Sequence, residues 1–176
     1  MAIDNSRAGT PSRVRTLFSF PNPVNEVSAR LVAAGVVVMS VLTIAFDLRW
    51  ATIVIAYGFA ARVLTGPTLS PLGQFVTRVV TPRLGIAERP VAGPPKRFAQ
   101  GMGVAFSVTA LVLTGLGHWT AAEVFLGLLA AAAFLESAFG FCLGCKAFAV
   151  LMRVGVVPEE VCERCNDIWG THSATA

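Results

Sequence analysis

Residues 28–46 read SARLVAAGVVVMSVLTIAF. A helix needs about 20 predominantly apolar residues to cross a hydrocarbon core about 30 Å thick, and this run is of that length. Its one charged residue, Arg30, lies near the start, where a long cationic side chain can reach the headgroup region. The run is therefore read as a membrane span.

The rest of the chain agrees with that reading. Of its 176 residues, 55% are hydrophobic and 14% are charged, and the mean hydropathy is +0.68. Soluble domains carry about a quarter charged residues, and a chain this short cannot hide so much apolar surface in a soluble core. The expected class is an all-α integral membrane protein with the lipid bilayer as its main partner. The net charge of +4 comes from cations that flank apolar runs. That pattern marks topology and excludes a nucleic-acid face.

Four spans are expected, at about 28–46, 50–65, 98–116 and 120–141, the last continuing as helix to about 157. The turns Asp47-Leu48-Arg49 and Gly117-His118 join them into two helical hairpins. Residues 1–27 form a polar tail with no cleaved signal, so the first span itself would direct insertion. Pro21 and Pro23 oppose a helix there, and Asn25 or Ser28 would cap the first one. Between the hairpins, Leu72, Phe75, Val76, Val79 and Val80 recur at helical spacing after the breakers Gly66, Pro67 and Pro71. That predicts a short amphipathic helix on the membrane surface. The two halves share an outline of lead, span, turn, Trp and span, which could reflect an internal repeat or the common form of helical hairpins.

The cations set the orientation. Arg7, Arg13 and Arg15 precede the first span, and Arg30 stands at its start. Arg78, Arg83, Arg89, Lys96 and Arg97 lie between the hairpins, and Lys146, Arg153 and Arg164 follow the fourth span. The two short turns hold only Arg49. The positive-inside rule puts both termini and the middle loop in the cytoplasm, with the chain in the inner (plasma) membrane as a multi-pass protein.

The four cysteines fall in two pairs, Cys142/Cys145 and Cys162/Cys165, the second in the tail 158–176. All lie on the predicted cytoplasmic side, where thiols stay reduced, so a permanent structural disulfide is not expected. The spacing C-x2-C-x16-C-x2-C falls in the range of four-thiolate metal sites, zinc above all, with iron the other candidate. A continuing helix under Cys142 and Cys145 argues against a zinc ribbon, although cysteines three apart on a helix do share a face. The same residues suit thiol chemistry. A thiolate is the reactive form, cations lower its pKa, and Lys146 and Arg164 adjoin Cys145 and Cys165. Inert buried thiols are the third possibility.

Glu136 lies within the fourth span, where a carboxylate must be paired, protonated or wetted. It could pair with Arg62 or Arg97, or accept a proton beside the thiols. Lys96 and Arg97 in GPPKRF are a snorkelling interfacial pair, or hold an anionic substrate or lipid headgroup. His118 lies at the far side from the cysteines. Gly101, Gly103 and the run 130–133 are read as helix packing. No nucleotide fingerprint and no Ser/His/Asp arrangement is present.

FPNPVNEVSAR, YGFAARVLTGPTLSPLGQ, GPPKRFAQGMG and LESAFGFCLGCKAF together resemble the DUF4395 family of bacterial integral membrane proteins, especially its actinobacterial members. The likeness covers about residues 18–167. It implies a helical membrane protein whose genes often neighbour those of thioredoxin-like and sulfurtransferase (rhodanese-type) proteins, so its partner would be of that kind. It carries Cys142, Cys145, Glu136, Lys96 and Arg97 as motif residues. It also implies that Cys162/Cys165 is not in every member, which favours the first pair. The leading expectation is thiol-disulfide or sulfur-relay chemistry at Cys142 and Cys145, tuned by Glu136. The alternative is a structural four-thiolate metal site in an accessory subunit of a membrane complex.

Overall fold

The computed structural model describes residues 24–155 apart from positions 88 and 92. A short antiparallel clasp, β1 (Val24–Asn25) on β2 (Pro90–Val91), ties the start of the bundle to the middle loop. Helix α1 (Glu26–Ala45) starts at Asn25, whose side chain accepts from the Val27 amide at 3.0 Å. Of the two expected caps, Asn25 therefore serves. Ser28 is buried instead, its hydroxyl 3.0 Å from that of Thr81. Helix α2 (Ala51–Thr65) follows the Asp47 turn.

The segment between the hairpins is helical in three pieces: α3 (Pro71–Phe75), a π-helical turn (Val76–Val80) and α4 (Thr81–Leu84). The widened turn precedes Pro82, which has no amide hydrogen to donate and whose ring crowds the preceding turn. Thr81 accordingly donates to Val76, five residues back. The segment leans on α1, where Leu72 sits over Gly35.

The second hairpin comprises α5 (Gly93–Gly115) and α6 (Trp119–Phe139). Helix α5 begins before the expected residue 98, because Pro94 and Pro95 occupy its first turn, where a missing amide hydrogen costs nothing. Helix α1 packs mainly against α6, α2 against α5, and α5 against α6. The two hairpins thus interlock. Their shared core holds Val36, Ile55, Phe59, Ala110, Leu126 and Leu129. At one end, Trp119 Nε1 donates to Asp47 Oδ1 at 2.7 Å, joining the two short turns. At the other, Arg30 donates to the Ser137 and Ala138 carbonyls that α6 leaves unpaired.

The expected continuation of the fourth span to residue 157 is not what forms. Helix α6 stops at Phe139, and a separate helix α7 (Leu143–Arg153) starts after Cys142. Gly140 takes a left-handed conformation, φ 67°. Its amide bonds to Glu136, while the Phe141 amide reaches back to Leu135 at 3.1 Å. This glycine-closed helix end satisfies the last carbonyls and turns the chain.

Among the described residues, three helices, α1, α5 and α6, are long and apolar enough to cross a membrane, and α2 is a shorter apolar helix. Only 33%, 17% and 22% of their respective apolar windows are buried inside the fold. Val41, Ile53, Val112, Val124 and Leu128 point outward. Such helices suit lipid contact, because their backbones are internally bonded and their outer faces need no water. The chain is an all-α membrane protein.

Candidate functional site

The site lies at the bundle end that holds the clasp, the start of α5 and the α6–α7 turn. The Gly140 turn redirects the chain. Cys142 follows in extended conformation as the cap of α7, and its carbonyl accepts from Lys146 at 3.1 Å. Gly144 lets α7 lie on α5: a Cβ there would come within 2.5 Å of the Ala99 Cα. The rings of Phe98 and Phe148, 5.6 Å apart, fix the same contact. The cysteine pair is thereby carried to the first turns of α5, close to Lys96.

Lys96 Nζ lies 2.5 Å from Glu136 Oε1, with both side chains largely buried. The expected partners of Glu136, Arg62 and Arg97, are both engaged elsewhere. Arg62 donates through Nε to Gln100 at 2.9 Å and through Nη1 to Ser70 at 3.3 Å. Its guanidinium also stands 4.3 Å from the Phe59 ring centroid. Arg97 donates to the Val63 carbonyl at 3.2 Å. Lys96 does not snorkel: it is 8% exposed, held inward because a buried carboxylate is costly without a cation. A signal for it was present in the sequence. Lys96, Gln100, Gly103 and Ser107 recur at helical spacing and mark one inward face of α5.

Cys142 is buried and Cys145 half-buried, both as free thiols. They open onto a pocket of about 480 Å³ that also includes Glu26, Lys96, Phe141 and Lys146. The Cys145 thiol donates to Cys142, and this hydrogen bond pulls Cys142 down to about 7 against the opposing effects of burial and Glu136, with Lys96 helping. The same bond, together with burial and the Cys142 charge, pushes Cys145 far up. One thiol is thus poised to ionise near neutrality while its neighbour keeps its proton. The start of a helix adds its positive end to the Cys142 environment.

The family model described as a domain of unknown function, DUF4395, matches residues 24–153. The chain belongs to the DUF4395 family. Neither a curated protein nor a solved structure matches it. The DUF4395 region includes Arg62, Lys96, Arg97, Glu136, Cys142 and Cys145, and it ends before Cys162 and Cys165. That second pair lies outside the described residues. Among the described residues, no three of His, Cys, Asp and Glu gather as metal ligands.

A second cavity adjoins the site. It measures about 670 Å³ and is lined by Ser28, Arg62, Thr77, Thr81, Lys96 and Gln100 together with apolar residues. Lys96 lines both this cavity and the cysteine pocket.

Proposed function

We propose that this DUF4395 protein is a membrane-anchored dithiol exchanging with a soluble disulfide-bearing partner. Cys142 is the attacking thiol and Cys145 the resolving one. The observation that supports this is the asymmetry of the pair: a Cys142 thiol lowered to about 7 beside a Cys145 that donates to it. The Cys142 thiolate attacks one sulfur of the partner's disulfide. The partner's S–S bond breaks, a mixed disulfide forms, and the leaving thiolate takes up a proton. Cys145 then gives up its proton and attacks the Cys142 sulfur, closing a Cys142–Cys145 disulfide and freeing the partner's second thiol. Two electrons pass from the pair to the partner. Attack on a sulfane sulfur of a persulfide would follow the same first step, with transfer of that sulfur to Cys142. Glu136 acts through Lys96, which it holds in place beside the thiols.

In this reading the protein sits in the plasma membrane with four spans, its termini and cysteines cytoplasmic. The positive residues before α1, between the hairpins and after α6 support that orientation. Helix α2, with 15 residues, rises about 22 Å and is the shortest of the four.

A Cys145→Ser variant tests the exchange. In cells it should accumulate a mixed disulfide through Cys142 that runs as a larger species without reductant and vanishes with it. No such adduct, in a variant that still folds and inserts, would refute the assignment.

A further inference from the structure

The cavity beside the thiols has its own chemistry. Arg62 and Lys96, 6% and 8% exposed, both line it. Among the described residues, one carboxylate, Glu136, acts on both cations, and it pairs with Lys96. Among the described residues, none that lines the cavity is acidic. Gln100 and Ser70 hold the Arg62 fork by neutral acceptors, so they orient its charge without cancelling it. A guanidinium has five N–H donors, and those two bonds leave others for a ligand. Two buried cations against one carboxylate leave a net positive charge, which is unfavourable unless an anion completes it.

Size and lining narrow the ligand. The cavity volume, about 670 Å³, lies within the range of about 300–1,000 Å³ typical of sites for small organic molecules. A bare inorganic oxyanion would leave most of it unfilled. Away from the two cations, the wall includes Val24, Ala29, Val32, Pro67 and Ile86. We propose that this cavity binds an amphiphilic oxyanion, a carboxylate or phosphate on an apolar body, with Arg62 and Lys96 holding the head. A planar oxyanion edge or a phosphate suits the Arg62 fork. This site is independent of the thiol reading, although Lys96 also borders the cysteine pocket.

The test uses the full-length protein in nanodiscs of phosphatidylcholine, with dodecyl phosphate as the probe and native mass spectrometry as the readout. One probe molecule should bind per chain and saturate. Arg62→Gln should weaken binding by about tenfold or more, as expected for loss of a charge-assisted fork. Ala29→Phe, which fills the cavity without altering charge, should weaken it as well. Phosphatidylglycerol is then added in a second arm. Competition with the probe identifies a lipid headgroup as the source of the oxyanion. Probe binding that phosphatidylglycerol does not displace identifies a free amphiphile. No saturable binding of either compound, or equal binding by wild type and both variants, overturns the proposal.

Discussion

Lys96 stands 2.5 Å from Glu136, and the two charges act on Cys142 in opposite senses, Lys96 lowering its pKa and Glu136 raising it. The pH dependence of alkylation should expose both. In wild type, the rate at Cys142 should rise with pH through about 7, while Cys145 stays slow. Lys96→Gln removes the cation and should move the profile to higher pH. Glu136→Gln removes the anion and should move it to lower pH. Stopped-flow labelling with peptide mapping checks each shift. Lys96→Gln also strands a buried carboxylate, and thermal denaturation should show a loss of about 3 kcal/mol or more. Glu136 and the cysteines were visible in the sequence because a carboxylate and paired thiols are conspicuous in an apolar run. The partner of Glu136 was not. Arg62 and Arg97 compete with Lys96 on charge alone, and only packing shows that Gln100, Ser70 and the Val63 carbonyl occupy them.

Among the elements, α7 decides where the thiols go. An unbroken helix from α6 would carry Cys142 and Cys145 away along the α6 axis. The Gly140 turn returns the chain, and Gly144 seats α7 against Ala99. Gly144→Ala should destabilise the protein by about 1–3 kcal/mol through overpacking, because its new methyl would meet backbone that cannot rotate aside. It should also move the Cys142 alkylation profile upward in pH, since α7 would lift away from Lys96. A lowered melting temperature with an unmoved profile would argue against this coupling. The sequence AFGFCLGC keeps an apolar character on both sides of Gly140, so periodicity alone extended the helix. An isolated glycine in such a run is either a tolerated interior residue or a helix end, and the long-range contact at Gly144 is what distinguishes them. Similarly, α5 starts earlier than its apolar run predicts, because Pro94 and Pro95 look like loop residues but suit the first turn of a helix.

For the whole molecule, the pattern of apolar helices was the most legible feature. Long apolar runs, short turns and flanking cations are local properties, and the helices α1, α2, α5 and α6 follow them closely. The interlocking of α1 with α6 and α2 with α5 rests on small-residue contacts far apart in sequence. One is Gly103, where a Cβ would come within 2.2 Å of the Phe59 ring. This arrangement puts the clasp, the cavity and the thiols at one end and the Asp47–Trp119 contact at the other. A membrane-impermeant maleimide should therefore label Cys142 in inside-out vesicles and spare it in intact cells. The reverse result would invert the proposed orientation. The most direct test of the dithiol itself uses full-length protein in nanodiscs, with Cys162→Ser and Cys165→Ser introduced. It is equilibrated in glutathione buffers of graded poise and read by mass spectrometry. Cys142 and Cys145 should convert together, with loss of two hydrogen atoms, along a single reversible two-electron transition. Thiols that stay reduced at every poise, or that take up glutathione singly without closing a bond between them, would contradict the account.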